Sequence, residues 1–181
     1  MPKRSPTTFT KPSFLEDELK SYIPATANVE LTNKPDWQNS SATLVAEFHV
    51  SVPNWASAAG RRTLLPAALF GGGEKHVFES EFRVHPIYFN FPYTENDDVT
   101  ITPPSGVQIS NLPQSQTIDV KACAYNLTAE QKNGTLHQSR RLMMNIQMVD
   151  VKYYNTLRAF FQRVRSADEQ QIVLVPTSST K

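Results

Sequence analysis

The chain has 181 residues, of which 39% are hydrophobic, and a domain of this size can bury roughly 70% of its unfolded surface without a disulfide or a metal. Its 18 basic and 17 acidic residues are interspersed and give a net charge of +1, which argues against a nucleic-acid-binding surface. The single cysteine, Cys123, excludes an internal disulfide and a cysteine-based zinc site, and we predict no cofactor.

The N-terminal segment is polar and has no periodic pattern. Met1–Pro12 contains prolines and hydroxyl side chains, which predicts a flexible tail. Its basic start is followed by polar residues instead of the apolar run of a signal peptide, and no stretch approaches the roughly 20 apolar residues of a membrane span. As written, the sequence predicts a cytoplasmic protein with no membrane span, whereas a fragment of a longer precursor would be periplasmic or secreted.

A short helix is predicted directly after this tail, over Phe14–Ile23. Ser13 provides an N-cap, the acidic run Glu16–Glu18 favours the positive end of the helix dipole, and Pro24 follows the helix end. The apolar positions predict a buried stripe that consists of Phe14, Leu15, Leu19, Tyr22 and Ile23.

Alternation of apolar and polar residues then dominates the chain and predicts strands. The clearest pattern is Ala42–Val52, whereas Arg62–Leu69 contains Pro66 and is expected at a sheet edge or a bulge. Gly71–Gly73 is interpreted as a flexible hinge. Further strands are predicted at Asn28–Asn33, Pro86–Phe91, Asp98–Thr102, Val107–Leu112 and Thr117–Leu127.

The C-terminal third contains a hairpin, a helix and a last strand. Asn133-Gly134 predicts a two-residue hairpin turn, and its returning strand alternates through Leu142 and Met144. A helical period over Val151–Arg165 is followed by a turn and by the strand Gln171–Val175. We expect the helix to bury Tyr153, Leu157, Phe160, Phe161 and Val164.

These elements predict a mainly β fold, an antiparallel two-layer β-sandwich with a short N-terminal helix and a C-terminal amphipathic helix followed by a strand. The terminal helix is expected to cover an open face or edge of the sheet. We predict a single domain over residues 13–176, with flexible tails at 1–12 and 177–181.

Several short segments resemble the C-terminal domain of bacterial multidomain transglutaminase-like proteins, those with an N-terminal β-rich domain of unknown function. The resemblance covers about Leu15–Val175. Its specificity comes from the order and spacing of the segments. The matching segments are Val45–Phe48, Ala58–Pro66, Phe70–Gly72, Phe78–Glu79, Arg83–Tyr93, Asp98–Ile101, Leu112–Pro113, Tyr153–Phe161 and Asp168–Leu174.

This resemblance implies a non-catalytic role. In that family the active-site Cys, His and Asp lie in a central domain upstream of the matching region, so no catalytic residue transfers to this chain. The resemblance therefore implies an accessory or interaction domain whose partner is a transglutaminase-like catalytic domain or a second copy of itself. The expectation is that this chain is not an enzyme.

A small cysteine-dependent hydrolase or transferase is a second, less favoured hypothesis. Cys123 would be the nucleophile and His137 the base, because their strands are neighbours across the predicted hairpin. Side chains on opposite faces of the sheet would exclude this pair. The other histidines are His49, His76 and His85, and their spacing matches no common metal-ligand pattern, so we predict no metal site.

Basic pairs and aromatic residues provide the remaining polar and stacking candidates. Arg61-Arg62 and Arg140-Arg141 would contact phosphate or an acidic partner, but such pairs are more often solvated strand ends. A glycan- or peptide-binding sandwich is the alternative function, and it would use Trp55 and the aromatic run Tyr88–Tyr93. Alternation favours core packing for most of that run, and Trp37 is a second loop tryptophan.

An apolar surface is predicted at Trp55–Phe70, where apolar side chains surround Pro66 and the glycines. If the domain packs against a catalytic neighbour, its isolation should leave such a surface uncovered. The competing interpretation buries the same residues beneath the N-terminal helix. The predicted interaction residues are Trp55, Leu64, Leu65, Leu69 and Phe70.

Overall fold

The protein is mainly β, with 41% of its residues in strands and 16% in helices, in a computed structural model that describes residues 11–20, 22–68 and 77–177. Its sheets are antiparallel, and the C-terminal helix is followed by a strand, which confirms the predicted fold class. The chain forms two compact units, Met1–Trp55 and Ala56–Lys181. The single domain over residues 13–176 stays a prediction, and residues 1–10 and 178–181 of the predicted tails lie outside the described residues.

The described residues of the first unit form one helix and one pair of antiparallel strands. Helix α1 spans Lys11–Lys20, and strands β1, Asn28–Leu31, and β2, Phe48–Ser51, pair antiparallel. The Leu31 amide donates a hydrogen bond to the Glu16 carboxylate at 3.4 Å, which connects β1 to the helix. Residues 42–47 of the predicted strand are not in a strand, so the alternation there overestimates its length.

Helix α1 begins three residues before the predicted start, so Ser13 lies inside the helix and is not its N-cap. The predicted buried stripe is also partly wrong. Phe14 and Tyr22 are exposed, while Leu15, Leu19 and Ile23 are half-buried.

The described residues of the second unit form two four-stranded sheets and a two-stranded one. The first sheet has the order β6-β10-β9-β8, and the second sheet has the order β3-β4-β12-β7. The strands of the first sheet are β6 (Tyr93–Ile101), β8 (Gln116–Asp119), β9 (Cys123–Lys132) and β10 (Thr135–Met144), and those of the second are β3 (Ser57–Ala59), β4 (Arg62–Pro66), β7 (Val107–Asn111) and β12 (Gln171–Pro176).

The remaining elements connect these sheets. Strands β5, Ile87–Tyr88, and β11, Met148–Val149, form the two-stranded sheet. A short 3-10 helix, Val151–Tyr153, leads into helix α2, Tyr154–Asp168. Strand β12 follows α2, in the predicted order, but α2 extends three residues further than the sequence indicated and the turn between them is correspondingly shorter.

Helix α2 covers the inner face of the first sheet and forms the main core with it. Leu157, Phe160 and Val164 are buried against Tyr125 and Leu142 of the sheet. The stripe is spaced at three and four residues, as the helical period requires. Tyr153 is 57% exposed and does not belong to it, because it lies in the preceding 3-10 helix. A second core packs Leu136, Ile109, Ile172 and Leu174 between the two four-stranded sheets.

The hairpin between β9 and β10 is confirmed, since Asn133 and Gly134 both have positive φ angles of 53° and 81°, as a type I′ turn requires. The strand predicted over Thr117–Leu127 is instead a hairpin. Lys121 adopts φ 70°, and the Lys121 amide donates a hydrogen bond to Asp119 Oδ1 at 2.7 Å. The reversal puts Cys123 and Tyr125 on the same buried face as Ile118. Uninterrupted alternation would put them on the other face of the sheet.

The strand that contains Pro66 is not an edge strand, although Pro66 itself lies where the strand has one neighbour. Strand β4 lies inside the second sheet, between β3 and β12. Pro66 is its last residue and is paired with Gln171 of β12. Strand β3 pairs only with Arg62, Thr63 and Leu64, so the missing N–H of Pro66 falls where no described strand lies on the β3 side, as at a sheet edge.

Candidate functional site

A buried arginine is the most heavily bonded polar side chain described in the second unit. Arg140 lies in the middle of β10 and is 6% exposed. Its neighbours at positions two residues away, Gln138 and Leu142, are buried as well, so strand alternation directs all three to the core. The expected solvated strand end is therefore wrong for Arg140. Arg141 is exposed, as expected, but it also lies inside the strand.

Three carboxylates surround the Arg140 guanidinium. Nε and Nη2 donate to the two oxygens of Asp168 at 2.9 and 3.0 Å, a bidentate contact with the last residue of α2. Nη1 donates to Asp97 at 3.0 Å and to Glu95 at 3.4 Å, both on the neighbouring strand β6. We call Arg140, Asp168, Asp97, Glu95 and Tyr125 the arginine cluster.

Tyr125 completes the arginine cluster from β9. Its hydroxyl donates a 2.6 Å hydrogen bond to Asp168 Oδ1, and the Arg140 guanidinium carbon lies 5.7 Å from the centre of its ring. The pKa of the Tyr125 hydroxyl is raised above its ordinary value, mainly by burial and secondly by the charge and hydrogen bond of Asp168. The phenol is therefore held neutral and serves as a donor.

The cluster holds Arg140 in its charged form. Burial alone lowers the pKa of the guanidinium, but the hydrogen bonds and charge of Asp168, together with Asp97, outweigh that effect and raise it. Four N–H groups of Arg140 are already donated. The geometry indicates a structural role, since the cluster joins β6, β9 and β10 to the end of α2 and leaves Arg140 little capacity for an external phosphate.

Gln138 makes a second buried connection on the same strand. Its Nε2 donates to the Ala67 carbonyl at 2.7 Å, which joins β10 to the residue after β4. Its Oε1 is buried and has no hydrogen-bond partner among the described residues. The burial of Gln138 and Arg140 could have been predicted from the sequence, because they continue the alternating pattern of the buried Leu142 and Met144 towards the start of the strand.

The Cys123–His137 pair is excluded by the sheet register. Cys123 is 3% exposed on the inner face, while His137 is exposed on the outer face and lies 3.2 Å from Thr100 Oγ1. His137 pairs with Glu130, seven residues along β9 from Cys123, which is roughly 24 Å. Burial also raises the pKa of the Cys123 thiol, which disfavours the nucleophilic thiolate.

His49 and His85 are the other histidines among the described residues. Within residues 11–20, 22–68 and 77–177, no group of three or more His, Cys, Asp or Glu side chains has the geometry of a metal site. His49 is an exposed residue of the first unit and His85 an exposed residue of the second, whereas His76 lies outside the described residues.

The predicted apolar surface at Trp55–Phe70 is only partly described. Leu64 and Leu65 are half-buried in β4, and Leu65 packs against the second core. Trp55 is half-buried in the first unit, and Leu69, Phe70 and the glycines that follow lie outside the described residues. Trp37 is 37% exposed. The interaction role of these residues stays a prediction.

Large exposed apolar side chains occur instead in the segment that follows. Tyr88 is 71% exposed and pairs across the two-stranded sheet with Met148, which is 51% exposed. Phe91 is 64% exposed, whereas Phe89 and Tyr93 are half-buried and pack against the main core. Core packing was therefore the wrong expectation for Tyr88 and Phe91. Phe82 and Val84 in the same segment are more than 80% exposed.

A groove of about 390 Å³ lies between β8 and α2. Its apolar lining consists of Ile118 and Val120 from the strand side and Ala159 and Phe160 from the helix. Polar side chains complete it, among them the exposed Arg163. Sequence reasoning missed this groove because it predicted one continuous strand through Lys121, which leaves no edge strand at this position.

Residues 61–174 match the model of a family of domains of unknown function with a solved structure, DUF3858. The chain belongs to this family. The matched residues include the arginine cluster and the groove. No curated protein matches the chain.

A crystal structure of a protein from Parabacteroides distasonis, named a "putative protease", is similar to part of the chain. The similarity has a TM-score of 0.47 and 18% identity and covers 53% of this chain. The matched part is 19% of the length of that protein. Within the described residues, no helix is both long and apolar enough to cross a membrane.

Proposed function

We propose that this chain is a non-catalytic accessory domain that packs against a transglutaminase-like catalytic domain. The observation that carries the proposal is the exposed cross-strand pair Tyr88–Met148 with Phe91 close to it in the chain. Large apolar side chains exposed as neighbours are typical of an interaction surface. The resemblance of Arg83–Tyr93 to the C-terminal domains of transglutaminase-like proteins also supports it, since this segment contains Tyr88 and Phe91.

The chemistry of the described site residues is consistent with this role. Cys123 is buried and far from His137, and the arginine cluster uses its charged groups to join strands to a helix. These two features support a structural interpretation of the polar residues that the sequence singles out.

Binding to a catalytic domain tests the proposal directly. The partner is the transglutaminase-like domain of a protein in which that domain precedes one of this family, and calorimetry measures its affinity for this chain. We expect Tyr88→Glu and Phe91→Glu each to weaken binding at least tenfold. Val45→Glu is the matched control because Val45 is 56% exposed in the first unit. Equal affinity of all three variants, or no binding of the unmodified chain, would contradict the proposal.

Activity measurements complete this test. The purified chain should be folded and should show neither ester hydrolysis nor amine incorporation into a glutamine substrate. Turnover that disappears on Cys123→Ala would overturn the non-catalytic assignment.

A ligand-binding sandwich is the second candidate, favoured by the exposure of Tyr88 and Phe91. Exposed aromatic rings can stack on sugars or on peptide side chains. Titration with glycans and peptides, monitored by tyrosine and tryptophan fluorescence, tests it. A saturable change that Tyr88→Ala abolishes would favour this function over packing against a catalytic domain.

A further inference from the structure

We infer that the free edge of β8 and the groove beside it bind an extended peptide that carries a carboxylate, as a fifth strand of the first sheet. This inference concerns a different surface from the Tyr88–Met148 pair and does not depend on the proposed function.

Within the described part of the chain, β8 is the last strand of the first sheet and pairs with β9 alone. The Val120 amide donates to the Cys123 carbonyl at 2.9 Å, so Val120 faces β9. Because consecutive residues of an antiparallel strand alternate their bonding direction, Ile118 also faces β9. Thr117 and Asp119 therefore direct their N–H and C=O groups away from the sheet, where an added strand would meet them.

The groove lies where the inward side chains of such a strand would project. Ile118 and Phe160 form its floor and are almost fully buried. Ala159 is exposed on the adjoining helix face, and its small side chain leaves the groove open. An added strand would lie about 4.8 Å from β8, and the volume of about 390 Å³ is in the range of ligand pockets. The groove can therefore take one apolar side chain of the peptide.

The charge of the groove selects an acidic occupant. Arg163 lines the groove and forms no ion pair with any residue in the described part of the chain. No carboxylate lines the groove. The Asp119 carboxylate accepts from the Lys121 amide and lies on the outer face of the strand, since Asp119 is exposed where Ile118 is buried. Arginine binds carboxylates through paired hydrogen bonds.

The occupant is therefore an extended peptide with an apolar residue beside a carboxylate. The carboxylate is supplied either by an Asp or Glu side chain or by the peptide C-terminus, and both present the same group to Arg163. A second copy of this chain is the competing occupant, because the edges of two β8 strands can pair around a twofold axis.

Fluorescence polarisation tests the inference with a defined probe, the fluorescein-labelled peptide Thr-Val-Thr-Val-Thr-Leu. One form ends in a free acid, one in an amide, and a third amidated form carries Glu after Leu. We expect saturable binding of the free acid, of the Glu form or of both, at least fivefold tighter than binding of the plain amide. The preferred form identifies the source of the carboxylate. Absence of saturable binding to every form would overturn the inference.

Variants of the chain test separately what the β8 edge, the groove and the Arg163 charge contribute to peptide binding. Thr117→Pro removes an outward N–H that no strand of the first sheet uses, and it should abolish binding. Asn96→Pro is the matched control on β6, since the same alternation directs the Asn96 amide away from β10 and binding should persist. Ala159→Trp fills the groove and should abolish binding. Arg163→Ala should weaken it at least fivefold, and Arg163→Lys should weaken it less than Arg163→Ala, because lysine keeps the charge but not the paired hydrogen bonds.

Circular dichroism and light scattering are measured on each variant beside peptide binding. Circular dichroism establishes that each variant is folded, and if Thr117→Pro is not, Ala159→Trp and Arg163→Ala still decide the question. Binding that persists in folded Ala159→Trp and Arg163→Ala would overturn the inference. Light scattering reveals self-association, and a dimer that excludes the peptide and dissociates on Arg163→Ala or Ala159→Trp would assign the edge to a second copy and also overturn it.

Discussion

The Arg140 guanidinium and the Asp168 carboxylate face each other through two hydrogen bonds of 2.9 and 3.0 Å. This contact connects the middle of β10 to the last residue of α2, 28 positions further along the chain. Both side chains are largely buried, with 7% and 12% of their surfaces exposed. The position of α2 on the sheet therefore depends on a polar contact as well as on apolar packing.

Removing one partner of this contact should destabilise the fold strongly. Arg140→Ala leaves Asp168 buried without its cation, and we expect the free energy of unfolding to fall by about 3–5 kcal/mol. Urea denaturation followed by circular dichroism measures this change. Arg141→Ala is the matched control, because Arg141 is exposed on the same strand, and it should cost less than about 1 kcal/mol. Similar losses for both variants would contradict the structural role of the cluster.

The arginine cluster should also make stability dependent on alkaline pH. The pKa of Tyr125 is raised by folding, so above the ordinary value of 10.0 the unfolded chain loses this proton while the folded chain keeps it. The Tyr125 contribution is complete below pH 10 and is lost as the pH rises further, by up to about 1.4 kcal/mol per pH unit. Tyr125→Phe should remove that slope between pH 10 and 11.5 in urea denaturation. The exposed control Tyr153→Phe should keep it.

Cys123 should react only after the chain opens. The thiol is 3% exposed, and its pKa is raised by burial, so the thiolate fraction in the folded chain is below that of a free cysteine at pH 8. Labelling with a thiol-reactive disulfide reagent should be slow in buffer and should accelerate with urea in parallel with unfolding. Rapid, complete labelling of the folded chain would contradict the buried position.

The sequence predicted the fold class because period-2 patterns and turn residues are local signals. Asn133-Gly134 is the clearest case, since both residues tolerate the positive φ angles that the turn needs. The hairpin at Lys121 was missed because lysine rarely adopts φ 70°, and its signal was the Asp119 side chain that binds the Lys121 amide. Because of that error, the alternation put Cys123 and Tyr125 on the opposite face of the sheet from Ile118, whereas all three are buried on the same face.

The candidate site was less predictable because it depends on packing between distant elements. Arg140 lies on the alternating pattern of β10, but its partners come from β6, β9 and the end of α2, which no local pattern brings together. The exposure of Tyr88 was also missed, since alternation shows that two faces differ but does not show which face is covered.

Lys121 has a left-handed backbone conformation, with a φ angle of 70°. A left-handed conformation costs a residue with a Cβ atom roughly 1–2 kcal/mol, and glycine avoids that cost at the expense of entropy in the unfolded chain. We expect Lys121→Gly to raise the free energy of unfolding by about 0.5–1 kcal/mol, measured by urea denaturation. Lys132→Gly, at the exposed end of β9, should lower it. A loss of stability for Lys121→Gly would show that the lysine side chain itself stabilises the turn.

Two adjacent phenylalanines of α2 should contribute unequally to stability. Phe160 is 1% exposed in the main core. Phe161 is half-buried, and the centre of its ring lies 5.0 Å from the centre of the Phe78 ring. The sequence predicted that the helix buries both side chains, but the observed burial assigns a loss of about 3–5 kcal/mol to Phe160→Ala and a smaller one to Phe161→Ala. Thermal and urea denaturation of both variants measure the difference. Equal losses would mean that the contact between Phe161 and Phe78 stabilises α2 as much as the buried core does.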